Sequence, residues 1–161
     1  MLKGQGVCLE PLRVDHADEL MPVLNDGLLH TFIGGKPADL EQLRARYTRQ
    51  VVGRSPDGAQ RWLNWLVRGE HAEALGTVQA TISGEEGEPV AEVAWVIGTA
   101  HQGNGYAREA AAVMVAWLRQ AGARSVIAHV HPEHEASTAV ARAIGLAPTA
   151  TVLDGEVRWE A

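Results

Sequence analysis

The chain has 161 residues, 14 Lys and Arg against 20 Asp and Glu, and a formal net charge of −6. This length fits one domain over residues 1–161, the acidic balance disfavours nucleic acid as a partner, and no apolar run approaches the ~18 residues that span a membrane. A single cysteine, Cys8, excludes an internal disulfide and a thiolate metal site, and no basic start precedes an apolar run as in a signal peptide, so a reducing compartment, the cytoplasm, is expected.

In chain order, residues 7–12 read as a short edge strand, with Pro11 near its end where a missing N–H is tolerated. Asp15 is placed to cap a helix that buries Ala17, Leu20, Met21 and Leu24, although Pro22 lies within it. Asn25-Asp26-Gly27 is a turn, a short helix is expected near Leu28 to Phe32, and Gly34-Gly35 ends it. Pro37 opens a clearer helix with Leu40, Leu43, Tyr47 and Val51 on one face. After a turn at 54–58 the period changes to that of strands: 61–67, an alternating 75–82, and 90–97. The Gly/Glu-rich loop 83–89 predicts antiparallel neighbours.

A helix over 105–121 follows, with Ala107, Ala110, Ala111, Met114, Trp117, Leu118 and Ala121 as its buried stripe. So much alanine predicts a helix lying unusually close to a sheet, and Gly122 ends it. Residues 125–130 form a buried strand, 136–144 a helix closed by Gly145, and a strand pair flanks the turn at Asp154-Gly155. The expected fold class is therefore mixed α/β (α+β), with helices packed around one sheet.

The chemistry concentrates at Gln102, Gly103, Asn104, Gly105, Tyr106 and Ala107. Two glycines where backbone meets a helix start let N–H groups point at an anion, and the helix dipole adds to the attraction. A Walker loop would continue Gly-Lys-Ser/Thr, and here Gly105 is followed by Tyr106-Ala107. A Rossmann loop would place glycine or alanine at Arg108 and would open a βαβ unit near the start. A plain glycine-rich turn before a helix is the remaining reading of the loop taken alone.

The wider pattern resembles the GNAT N-acetyltransferase superfamily. Gln102, Gly105 and Ala107 follow the strand Glu-Val-Ala-Trp-Val-Ile as in that family's central motif. The run from His131 to Ser137, continued by Val140 to Leu146, is similar to its second motif. Leu9-Glu10-Pro11-Leu12 followed by Asp15-His16-Ala17 is similar to the opening of its ribosomal-protein acetyltransferase branch, the RimJ/RimL type.

The resemblance implies a mostly antiparallel sheet flanked by helices on both faces. It implies acetyl-CoA as co-substrate with no metal, and direct acyl transfer to a primary amine on a protein N-terminus or a small molecule. The pantetheine arm would lie between strands 90–97 and 125–130, paired with backbone near Trp95, Val96 and Ile97. The amides of residues 102–107 would hold the pyrophosphate. Glu92 would be the base, acting through a water and desolvated by burial beside Trp95. Ser137 would stand near the sulfur, and His134 occupies a position where the family commonly has a pantetheine-contacting asparagine. The family's frequent tyrosine donor is replaced by Ala141, which raises a competing reading, a catalytically silent acetyl-CoA-binding or regulatory module. His129, His131 and His134 offer a second alternative, a three-nitrogen zinc site. Phe32, Trp62 and Trp65 are candidates for the amine pocket. Trp62 and Trp65 lie three apart, so at most one faces it on a regular strand. Dimers are common in similar proteins, which puts a homodimer among the expected assemblies.

Overall fold

The eight strands join in a single sheet in a computed structural model that describes residues 1–26, 29 and 39–161. They are β1 (Leu2–Lys3), β2 (Cys8–Pro11), β3 (Arg61–Arg68), β4 (Ala74–Ser83), β5 (Val90–Ile97), β6 (Ser125–Val130), β7 (Ala147–Leu153) and β8 (Glu156–Glu160). Four helices are described: α1 (His16–Leu24), α2 (Leu40–Gln50), α3 (Tyr106–Gln120) and α4 (Glu135–Ala143). The strand order is β1-β2-β3-β4-β5-β6-β8-β7, and every pairing is antiparallel except β5 with β6. That one parallel pair needs a crossover, which α3 supplies. The helix expected near Leu28 to Phe32, and Pro37, lie outside the described residues apart from Leu29.

The main core follows from period-2 alternation. Val78 and Ala80 on β4, Ala91 and Val93 on β5, and Val126, Ala128 and Val130 on β6 point to one face. α3 covers that face with Ala110, Met114, Val115 and Leu118. Ala110 and Ala111 of the expected alanine stripe are fully buried. Each large apolar side chain buried here contributes roughly 1.5–3 kcal/mol. On the opposite face Leu66 packs with Ala17 and Leu20 of α1 and with Leu43 and Tyr47 of α2.

Three local expectations change. Asp15 does not cap α1 through its side chain; its carboxylate accepts from Arg13 Nε at 3.0 Å, while the Arg13 N–H donates to His16 Nδ1. α2 carries the stronger signal, a reciprocal capping box between Asp39 and Gln42. β2 is not the edge strand, because β1 pairs with Cys8 and Leu9. Glu10 and Pro11 extend beyond that pairing, so the proline still sits where no ladder bond is lost.

Candidate active site

β5 and β6 run together for only three residue pairs, Val90↔Ser125, Ala91↔Val126 and Glu92↔Ile127, and then part. On its other edge β5 stays bonded to β4 as far as Ile97↔Gly76, and Gly98 N–H continues the ladder to Leu75 O. Gly76 is required there, since a Cβ would collide with the Val96 carbonyl. The antiparallel alternation set by the Gly98–Leu75 bond turns the N–H and C=O of Val93 and Trp95 toward the gap. The gap is the mouth of a cleft of about 770 Å³. Of the three residues expected to offer backbone, Trp95 therefore does so. Val96 has its backbone against Thr77 of β4 and lines the cleft with its side chain. The Ile97 carbonyl accepts from Gln102 Nε2 at 3.0 Å and is already used.

That same bond pins the glycine loop to the end of β5. Gly103 and Gly105 take φ of +84° and +78°, the left-handed region open to glycine, and their missing Cβ atoms face open space. The first bond of α3 is Glu109 N–H to Gly105 O, so the N–H groups of Tyr106, Ala107 and Arg108 have no acceptor inside the helix. Gln102, Gly103, Gly105, Tyr106 and Ala107 all line the cleft. Asn104 does not; its amide donates to the His101 carbonyl at 3.2 Å and shapes the loop. Arg108 also lines the cleft and adds a cation where an anion would sit. Its place in the sequence served only to reject a Rossmann loop. Position 108, one residue past the motif in the first turn of α3, was the available signal.

Glu92 lines the cleft, but its surroundings differ from expectation. Alternation puts Glu92 and Trp95 on opposite faces of β5, and the carboxylate is 49% exposed, so burial beside Trp95 does not arise. Its partner is His129 of β6, with Nδ1 2.8 Å from Oε1. No sign in the sequence pointed to a pairing of His129 with Glu92. Register could have found the pair, since Glu92 lies opposite Ile127 in a parallel ladder and His129 is the next residue on that face. Among the described residues no three His, Cys, Asp or Glu side chains are grouped to hold a metal. His129 turns to Glu92, and His131 Nδ1 accepts from the Glu133 N–H.

Ser137 and His134 meet at the entrance to α4, with Ser137 Oγ 3.4 Å from His134 Nε2, and both line the cleft. Burial holds the His134 imidazole below the usual histidine range, and His131 pushes it the same way, so it is neutral at pH 7. Ala141 is fully buried in the main core, away from any position that could donate a proton.

The two tryptophans separate as parity required. Trp65 is 6% exposed in the main core, edge-on to Trp117 of α3 at 5.8 Å, so it is a packing residue and not part of the amine pocket. Trp62 stands on the other face, in one cross-strand row with Thr81 and Glu92. Phe32 lies outside the described residues. On that face a pocket of about 140 Å³, lined by Tyr47, Asn64 and Thr77 among others, shares Gln79 and Val96 with the main cleft.

The sequence matches the family model for the acetyltransferase (GNAT) domain over residues 7–147. The chain belongs to the GNAT acetyltransferase family. It is an N-acetyltransferase with the mixed, mostly antiparallel sheet that its motifs implied. A comparison with curated proteins returned no match. Solved structures share the fold across almost the whole chain. An acetyltransferase from Thermus thermophilus is 21% identical, with a TM-score of 0.77 and coverage of 98% of this chain and 97% of that one. The Salmonella typhimurium enzyme that modifies the N-terminal serine of ribosomal protein L7/L12 is 16% identical, with a TM-score of 0.76 and coverage of 98% and 95%. Spermidine N-acetyltransferase from Vibrio cholerae, solved with CoA and spermine, is 15% identical, with a TM-score of 0.77 and coverage of 98% and 96%.

Proposed function

We propose that this GNAT domain, residues 1–161 acting as one unit, moves an acetyl group from acetyl-CoA directly to a primary amine on a protein N-terminus or a small molecule. The observation that carries this is the parting of β5 from β6 directly beneath an uncapped, glycine-opened helix start. A strand edge and a set of free N–H groups then line one cleft, which suits a pantetheine arm and a pyrophosphate in that order. Trp95 offers backbone to the arm, the amides at Gly103 to Ala107 receive the phosphates, and Arg108 adds charge. When bound, acetyl-CoA supplies an activated acyl group next to Ser137, whose hydroxyl is available to the sulfur. Glu92 is the carboxylate that drives removal of the amine proton, through a water rather than by direct contact. Trp62 and the pocket around Tyr47 lie on the amine side of the sheet. Cys8 takes no part. We place the protein in the cytoplasm, free or as a homodimer, on the strength of its single cysteine and its kinship.

Two measurements test the reading. Acetyl-CoA at 100 times its dissociation constant should stabilise the fold by about 2.7 kcal/mol in a thermal melt. A panel of amines, from polyamines to peptides with free N-termini, should include at least one that releases coenzyme above background. Ala141 in place of a tyrosine favours a second reading, a silent acetyl-CoA-binding module. Stabilisation without coenzyme release from any amine is the result that selects it.

A further inference from the structure

Glu92 and His129 lie 37 residues apart in the chain and meet because β5 and β6 are parallel up to the point where they part. His129 is 17% exposed, is fixed between Ala128 and Val130 of the core, and lines the same cleft as Glu92. An ionised carboxylate can only accept a hydrogen bond, so the 2.8 Å contact places the proton of a neutral imidazole on Nδ1. The lone pair is then on Nε2, which has no hydrogen-bond partner among the described residues. Other charged groups facing the ring are otherwise engaged or more distant along the strands. Arg158, opposite His129 on β8, is bonded through Nε to Glu160 at 3.0 Å, Glu156 lies at the start of β8, and His131 is two residues on.

We infer that His129 is the proton acceptor of the transfer and that Glu92 is its positioning residue. The inference rests on the acetyl-transfer reading above and puts an imidazole where that reading put a water. Imidazole is the side chain whose proton affinity lies nearest neutral pH, and the carboxylate orients it through Nδ1. The amine nitrogen attacks the thioester carbonyl carbon, a C–N bond forms, and the C–S bond breaks to release a thiolate. The proton leaving the nitrogen passes to His129 Nε2, and Nδ1–H stays on Glu92. A proton from water, relayed at Ser137, converts the thiolate to the thiol, and the imidazolium returns its proton to water. One amine and one thioester thus give one amide and one thiol.

The experiment uses the full chain, an amine that the wild-type protein acetylates, and coenzyme release as readout. His129→Ala should lower kcat/KM about 100-fold or more, leave the thermal shift with acetyl-CoA unchanged, and regain rate when free imidazole is added. Glu92→Gln should lower kcat/KM about tenfold and gain nothing from imidazole. In the resting protein, 15N NMR should show His129 as the Nδ1–H tautomer, and as a mixture once Glu92 is Gln. Wild-type turnover in His129→Ala, a loss that imidazole leaves untouched, or an Nε2–H tautomer in the wild-type protein would each overturn the assignment and leave acetyl transfer standing. Absence of turnover with every amine would instead remove the acetyl-transfer reading and this inference with it.

Discussion

Gly105 meets two demands at once, a backbone φ of +78° and the absence of a side chain in front of the first amides of α3. The two separate by substitution. Gly105→Ala should cost about 1–2 kcal/mol of stability through left-handed strain and leave acetyl-CoA binding measurable. Gly105→Glu should carry a similar strain and abolish the ligand-induced thermal shift, because its charge and bulk occupy the position proposed for the phosphates. The wider motif made this residue legible, since the strand before it and the helix after it single out this loop where the glycine spacing alone leaves a plain turn open. Tyr47 is a contrary case. It was read as a face residue of α2, yet its hydroxyl is buried with no hydrogen-bond partner among the described residues, and burial pushes its ionisation up to about 12. Removing an unsatisfied buried hydroxyl stabilises, so Tyr47→Phe should gain about 1 kcal/mol in a urea melt. A loss of that size would show that the hydroxyl has a partner in solution.

At the scale of elements, strand parity decides what each tryptophan of β3 does. Trp65 fills the space between the sheet and α3, and truncating a large aromatic in such a core costs about 3–5 kcal/mol. Trp65→Ala should therefore shift the urea midpoint far more than Trp62→Ala. The latter removes a half-buried ring from the face opposite α3, where the amine is proposed to bind, and its main effect should be a raised KM for the amine. A three-residue offset on a regular strand was enough to say that the two rings diverge. It could not say which entered the core, because that depends on which side of the sheet α3 covers. The Asp15 cap failed for a related reason. A short polar side chain before a helix has several local partners, and here Arg13 takes it.

Across the whole molecule, β2, β3 and α1 are tied by one charge network. Arg68 donates to Glu10 at 2.6 Å and to Glu19 at 2.7 Å, and Arg13 donates to Glu10 at 2.7 Å. The Arg68 guanidinium, with help from Arg13, holds the Glu10 carboxyl down to about 2 from 4.5, and Glu10 is only 14% exposed. A carboxyl depressed in the folded state stabilises the fold above its unfolded value and loses that contribution as pH falls toward its folded value. Glu10 should thus contribute about 3 kcal/mol near neutrality, lost progressively between about pH 4.5 and pH 2. His16 works in the same direction. Burial holds it below the usual histidine range, so the fold carries it neutral and acid must protonate it. Urea midpoints measured from pH 7 to pH 2.5 should fall with acid, and Glu10→Gln should flatten the lower part of that curve.

The amino-acid sequence alone carried β2 to β8, α1 to α4, the glycine loop and the family, but not the two-residue β1. Each is written in local periods, in turn residues and in motifs of a few positions. It also located Glu92, Ser137 and His134 on elements that line one cleft. Tertiary contacts settled what depends on register between strands far apart in the chain. The parallel pairing of β5 with β6 sets where the strands part, which backbone groups of Trp95 and Ile97 remain to be used, and which side chain stands beside Glu92. Alternation along one strand says that two residues share a face. Only the offset between strands says that Glu92 and His129 touch, and hydrogen bonding across the sheet sets that offset.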